Sequence, residues 1–467
     1  MMRISFLSPL VACMAFLILL SACATCATCA IWPNTSQKEN PAETAAQKSS
    51  QSQQTQIFHT QAGIPVWLAE RQNLPMVDIQ LTFDAGALND GQQPGMANLV
   101  GNLIGEATDS QNAQDISTVF ENQGARFGVS VRKTRASISL RTLTGEPLAV
   151  AVNQLALLLS NSQFKVEDVD RAKAQLATYF RYIQTDPSYQ AQRAVDQQLY
   201  GAHDLAQAII GEQDVVMGLS AEDLQAFWSS YYHQGNVVMT MTGALNPAEA
   251  KQVAEQLSKA LAKAPINWQK PEHAKLTSTK KGQAQWLDFD AKQAQLSLSA
   301  IIPVTRLDKD YAALQVASMA LGGDSASRLY QQIREVEGLS YSVGSQISAV
   351  HDAALFEISL QTQANQAEQA LKSVQGELDA WYQQGITEDE LARAKAKLRL
   401  SMAQLMTQNG ATNSYLSLMA YEHLPVDYLQ RFLSHIESLE LKEVDQAIQR
   451  HIKPSAMLIT VLGADRG

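Results

Sequence analysis

The feature that most constrains this chain is that its body is one succession of elements written twice. Alternating apolar and polar residues open each copy, at 77–83 (Val-Asp-Ile-Gln-Leu-Thr-Phe) and at 294–302 (Ala-Gln-Leu-Ser-Leu-Ser-Ala-Ile-Ile). A period of two is that of a strand in a sheet with one covered face. Helical patterns follow at 96–106 and 311–321, then a second helix and a long hairpin, at 125–143 and 339–362. Further helices fill each copy, with 166–183 matching 388–405, and a strand closes each, at 237–243 and 456–463. The copies part at 264–282, where Pro265, Pro271 and several lysines interrupt any apolar period. Helices grouped against a mostly antiparallel sheet make each copy an α+β unit, over 56–263 and 283–467.

The residues before the first copy read as a leader and a tether. Arg3 and the apolar run 10–20 resemble a secretory signal over 1–22, too short to span a bilayer comfortably. The run ends in Leu20-Ser21-Ala22-Cys23, which resembles a bacterial lipobox and makes Cys23 the expected lipidated first residue. Ala24 after it favours the outer membrane, so the expected location is the bacterial envelope, anchored on the periplasmic face. Residues 23–55, rich in Gln, Ser, Thr and Ala, offer little to bury and read as a flexible tether. All four cysteines lie at or before Cys29, which leaves the body no disulfide and no cysteine metal site. A net charge of −10 without any basic block speaks against nucleic-acid binding.

Two motifs carry chemical information. The second copy contains Gly322-Gly323, Arg328-Leu329, Arg334-Glu335, Gly338-Leu339 and Tyr341-Ser342-Val343 in one stretch. The first copy carries Gly95-Met96-Ala97 followed by Asn98-Leu99-Val100-Gly101-Asn102. Together these resemble the M16 (pitrilysin and processing-peptidase) family of zinc metallopeptidases, over nearly the whole body. The resemblance implies two tandem half-domains, with Arg328 and Tyr341 helping to hold a substrate peptide. It also implies that a His-x-x-Glu-His helix should occupy 98–102 and that a third, glutamate ligand should stand at Tyr179, counted back from Asp186-Pro187. A zinc site of this kind needs two imidazoles on one helix face and a carboxylate to take a proton from the bound water. Asn98, Gly101, Asn102 and Tyr179 supply none of these, so the metal site is degenerate. The eight histidines, His59, His203, His233, His273, His351, His423, His435 and His451, include no pair three or four apart. No Gly-x-Ser-x-Gly elbow, body cysteine or phosphate loop replaces the lost chemistry.

By this resemblance the expected role is the non-catalytic, substrate-binding subunit of a heterodimeric zinc peptidase. The partner chain would carry His-x-x-Glu-His and the zinc, and this chain would hold none. The alternative is a stand-alone peptide-binding or envelope scaffold protein without hydrolytic activity. Arg334-Glu335 reads as a structural charged pair, Phe227–Tyr232 as core packing, and Thr387 as the cap of a helix after the stop at Gly385.

Overall fold

A computed structural model describes residues 55–276 and 282–465. Cys23, the leader and nearly all of the expected tether lie outside the described residues. The first sheet contains β1 (Gln56–His59), β2 (Pro65–Glu70), β3 (Met76–Phe83), β4 (Arg126–Val131), β5 (Ala136–Leu143) and β6 (Val237–Gly243), in the order β1-β2-β6-β3-β5-β4. The second contains β7 (Ala284–Leu287), β8 (Gln293–Ile302), β9 (Ser340–Val350), β10 (Ala353–Gln363) and β11 (Leu458–Leu462), in the order β7-β11-β8-β10-β9. Apart from β1 the two orders are identical. In each, the short strand that opens the copy runs parallel to the closing strand, β2 with β6 and β7 with β11, and the other pairs are antiparallel. The alternation of the sequence located β3 and β8, and the repeat order the closing strands β6 and β11; β1, β2 and β7 had no such signal.

The helices repeat as the strands do. The first half has α1 (Met96–Leu103), α2 (Ala113–Asn122), α3 (Glu146–Asn161), α4 (Val166–Gln184), α5 (Pro187–Tyr200), α6 (Gln213–Gly218), α7 (Ala221–Tyr231) and α8 (Pro247–Ala260). The second has α9 (Tyr311–Gly322), a π-helical segment Tyr330–Val336, α10 (Ala367–Gln384), α11 (Glu388–Leu405), α12 (Asn409–Tyr421), α13 (Tyr428–Ser438) and α14 (Leu441–His451). One lysine clamp appears in both. Lys173 on α4 donates to the Met217 and Leu219 carbonyls at the end of α6, and Lys395 on α11 donates to the Glu437 and Leu439 carbonyls at the end of α13. Each ammonium satisfies carbonyls that a helix C-terminus leaves unpaired. Asp186 caps α5 ahead of Pro187, and Thr387 closes a capping box with Glu390 on α11.

Each half builds its own apolar core, and each also lends one helix to the other half. Helix α12 lies across β2, β3 and β6 of the first sheet, and α5 lies across β8 and β11 of the second. The face they cover is polar. Thr82, Thr240, Thr242, Ser299 and Thr460 are all buried. Three of the hydroxyls are matched across the junction: Thr82 with Ser417 at 2.6 Å, Thr242 donating to Asn413 at 3.1 Å, and Thr460 donating to Gln198 at 2.8 Å. Strand alternation led to the expectation of one covered face per sheet. Both faces are covered, because short hydroxyl side chains paired to a crossing helix can be buried at little cost.

Candidate functional site

Helix α1 carries the degenerate metal-site positions. Asp90 holds its start, accepting the Gly95 N–H at 2.7 Å and the Ala97 N–H at 2.8 Å. Burial pushes the Asp90 carboxyl up to about 7, against the lowering effect of those two N–H groups. The helix ends at Leu103, short of the expected 106, because Ile104 turns extended and Gly105 takes a positive φ of 95°. Asn98 is half-buried, Gly101 is buried and Asn102 is exposed.

Gly101 is sterically tight. A Cβ placed on it would lie 2.5 Å from Cγ2 of Val131 on β4, so a larger residue there requires the Val131 side chain to shift. Asn102 and Tyr179 do come together, on facing walls of a cleft of about 290 Å³ with Glu106, Asp168, Arg171 and Gln175. Asn98 and Gly101 are not part of its lining. The two carboxylates of the cleft are engaged by Arg171, at 2.9 Å to Glu106 and 2.7 Å to Asp168. Tyr179 rests its ring 6.0 Å from that of Tyr182 and is partly exposed. An asparagine amide, a glycine and a phenol do not fit zinc, and the nearby carboxylates already have a cation. Among the described residues, no three His, Cys, Asp or Glu groups stand close enough to hold a metal ion.

The second-half motif is arranged differently from the expectation. Arg328 was expected beside Tyr341, facing a substrate. Its guanidinium instead grips both oxygens of Glu390 at 2.6 Å and the Gly385 carbonyl at 2.8 Å, with 17% of the side chain exposed. The reason is local. The capping box turns the Glu390 carboxylate back over the start of α11, where it meets the segment between α9 and the π-helix. Burial acts to raise the Glu390 pKa, and the bonds from Arg328 and the Thr387 N–H outweigh it, holding the carboxyl below its ordinary range.

Tyr341 is 84% exposed on β9, the outermost strand of its sheet. The guanidinium beside it belongs to Arg334, which donates to the Tyr341 carbonyl at 2.9 Å and stacks over the Tyr330 ring at 4.8 Å. Arg334, set aside in the sequence as structural, is thus the arginine that shares a surface with Tyr341. The signal was its place just before the Glu337-Gly338 turn that returns the chain into β9.

Comparison with known proteins gives the arrangement a family. The model described as Insulinase (Peptidase family M16) matches residues 66–213, and the model described as Peptidase M16 inactive domain matches 218–398. A solved structure of a peptidase M16 inactive domain from Pseudomonas fluorescens is 30% identical with a TM-score of 0.83, over 88% of this chain and 98% of that one. The chain belongs to the M16 peptidase family. A Helicobacter pylori relative named Non-peptidase homolog YmxG is 27% identical over 86% of this chain and 92% of its own. An uncharacterized zinc protease of Streptomyces coelicolor is 26% identical over 79% of this chain and 80% of its own. Two M16-type halves are therefore present, and the first carries Asn98, Gly101 and Asn102 where the resemblance places the metal-binding motif.

Proposed function

We propose that this protein is the non-catalytic, peptide-holding subunit of a two-chain M16 zinc peptidase. The partner subunit supplies His-x-x-Glu-His, the zinc and the general base. The observation that carries this reading is the contrast between the two halves. The metal-site helix carries Asn98, Gly101 and Asn102 in place of ligands and base, while the second-half motif presents an exposed tyrosine on a sheet edge with an arginine at its carbonyl. An edge strand offers backbone groups to which an extended peptide can add, and Tyr341 and Arg334 stand where such a strand would pass. The lipobox at Cys23 and the tether argue that the complex works at the periplasmic face of the envelope, held by lipid.

The test is co-purification of the detergent-solubilised native protein, followed by peptide cleavage with the isolated chain and with the complex. Recovery of an M16 partner carrying His-x-x-Glu-His, cleavage confined to the complex, and loss of peptide affinity in Tyr341→Ala and Arg334→Ala support the proposal. A chain that purifies alone and binds peptides without any cleavage replaces it with the scaffold reading. Cleavage by the isolated chain overturns both.

A further inference from the structure

Strand β10 carries a glutamate on the polar face of the second sheet, where α5 crosses it. Glu357 is 7% exposed, and among the described residues no cation pairs with it. Its Oε1 accepts from the Ser297 hydroxyl and its Oε2 from the Gln346 amide, each at 3.1 Å. It lines a polar cavity of about 210 Å³, with Gln192 on α5 and Ser297, Ser342, Ser359 and Thr460 on the sheet. We propose that this cavity takes the basic side chain, lysine or arginine, of a peptide held along β9, with Glu357 as its counter-charge. The inference rests on the peptide-holding reading and names the substrate class.

A buried carboxylate is costly unless its charge is matched. An ionised carboxylate offers about four acceptor sites, and two neutral donors fill only part of them. Glu357 keeps the rest for the cavity, which opens at Ser342 and Ser359, both exposed. An ammonium or guanidinium entering there adds donors without displacing Ser297 or Gln346. A nearby cation, Lys133, is committed elsewhere: it sits over the Tyr200 ring and pairs with Asp196 at 2.8 Å. Burial, then the charges of Asp196 and Glu357, hold the Tyr200 phenol above its ordinary range. The field of Glu357 thus reaches α5 although Asp196 already has its own cation.

Position selects the length of the side chain. Tyr341, exposed on the edge strand, directly precedes Ser342 of the cavity wall. A peptide added beyond β9 would lie two strand spacings, about 10 Å, from β10. Glu357 Oε2 is turned toward β9, where Gln346 stands opposite it in register. Lysine and arginine combine a cationic head with a stem long enough to cross β9, and histidine is too short.

The test uses the full chain in detergent and fluorescence anisotropy with short labelled peptides of Ala, Ser and Val. Two peptides differ only at the centre, where one has lysine and the other its uncharged analogue norleucine. The lysine peptide should bind about ten-fold or more tighter, as a charge-assisted hydrogen bond shielded from bulk water allows. Glu357→Gln keeps the shape of the site and should abolish the preference, with affinity for the norleucine peptide unchanged. Ser359→Lys supplies an ammonium from the same face of β10, so it should also abolish the preference while raising the melting temperature. This second variant decides the matter if Glu357→Gln does not fold. Equal binding of the two peptides by wild type, or a preference that either folded variant retains, overturns the pocket and leaves the peptide-holding reading in place. Failure of both peptides to bind refutes that reading and the pocket with it. Lysine amide binding as tightly as the lysine peptide assigns the cavity to free amines and overturns its role in peptide selection.

Discussion

Replacing Arg328 by alanine separates the structural part of the second-half motif from the part that meets a peptide. The Arg328 side chain is largely buried and makes two charge-assisted bonds to Glu390 and one to the Gly385 carbonyl. Removing one partner of a fully buried ion pair costs about 3–5 kcal/mol, chiefly because the remaining charge is left unpaired. Here 12% of the Glu390 side chain remains exposed and its carboxylate keeps the Thr387 N–H. Partial solvation and that retained bond bring the expected loss down to about 2–3 kcal/mol. Arg328→Lys keeps the charge but forfeits the two-pronged fit, for about 1–2 kcal/mol.

The assay is urea unfolding of wild type, Arg328→Ala, Glu390→Ala and the double variant, with peptide affinity measured on each folded protein. The double-mutant cycle should return a coupling of about 1.5–3 kcal/mol between Arg328 and Glu390. Peptide affinity should change little in Arg328→Lys and fall in Arg334→Ala and Tyr341→Ala, whose stability stays near that of wild type. The reasoning fails if Arg328→Ala loses less than about 0.5 kcal/mol yet abolishes peptide binding.

Installing His-x-x-Glu-His by Asn98→His, Gly101→Glu and Asn102→His should produce no peptidase and should cost about 1–3 kcal/mol from overpacking against Val131. Adding Val131→Ala should recover much of that loss in thermal unfolding. Asp90 has its carboxyl raised to about 7 in the folded chain, from about 4 when unfolded. Its contribution to stability is therefore complete below about pH 4 and is lost as pH rises through 7. Stability measured from pH 5 to 8 should fall more steeply in wild type than in Asp90→Asn. Lys173→Met and Lys395→Met should each cost about 1–2 kcal/mol in urea unfolding, and by similar amounts, since each strips an ammonium from two helix-end carbonyls.

Local patterns made much of the architecture legible. The alternation at 77–83 and 294–302 became β3 and β8, the capping box at Thr387 formed as spaced, and Gly385 ended α10 in a positive φ. Such signals depend on neighbours within a turn or a strand, and the chain writes them directly. The residue types at 98–102 were equally plain, because ligand chemistry belongs to the residue type. β2 escaped notice because its residues 66–69 are buried almost without alternation, and β7 because it is a short strand that is mostly half-exposed.

What the sequence determined by itself was a duplicated α+β chain with an M16-type frame. The tertiary structure decided which helix covers which sheet, exchanging α5 and α12 so that buried threonines and serines find partners in the opposite half. It decided that Arg328 braces α11 while Arg334 attends Tyr341. The physical reason is one of range. Periodicity and capping are set by bonds a few residues long, whereas the helix exchange and the Arg328–Glu390 pair join residues tens to hundreds of positions apart and exist only once both cores have closed.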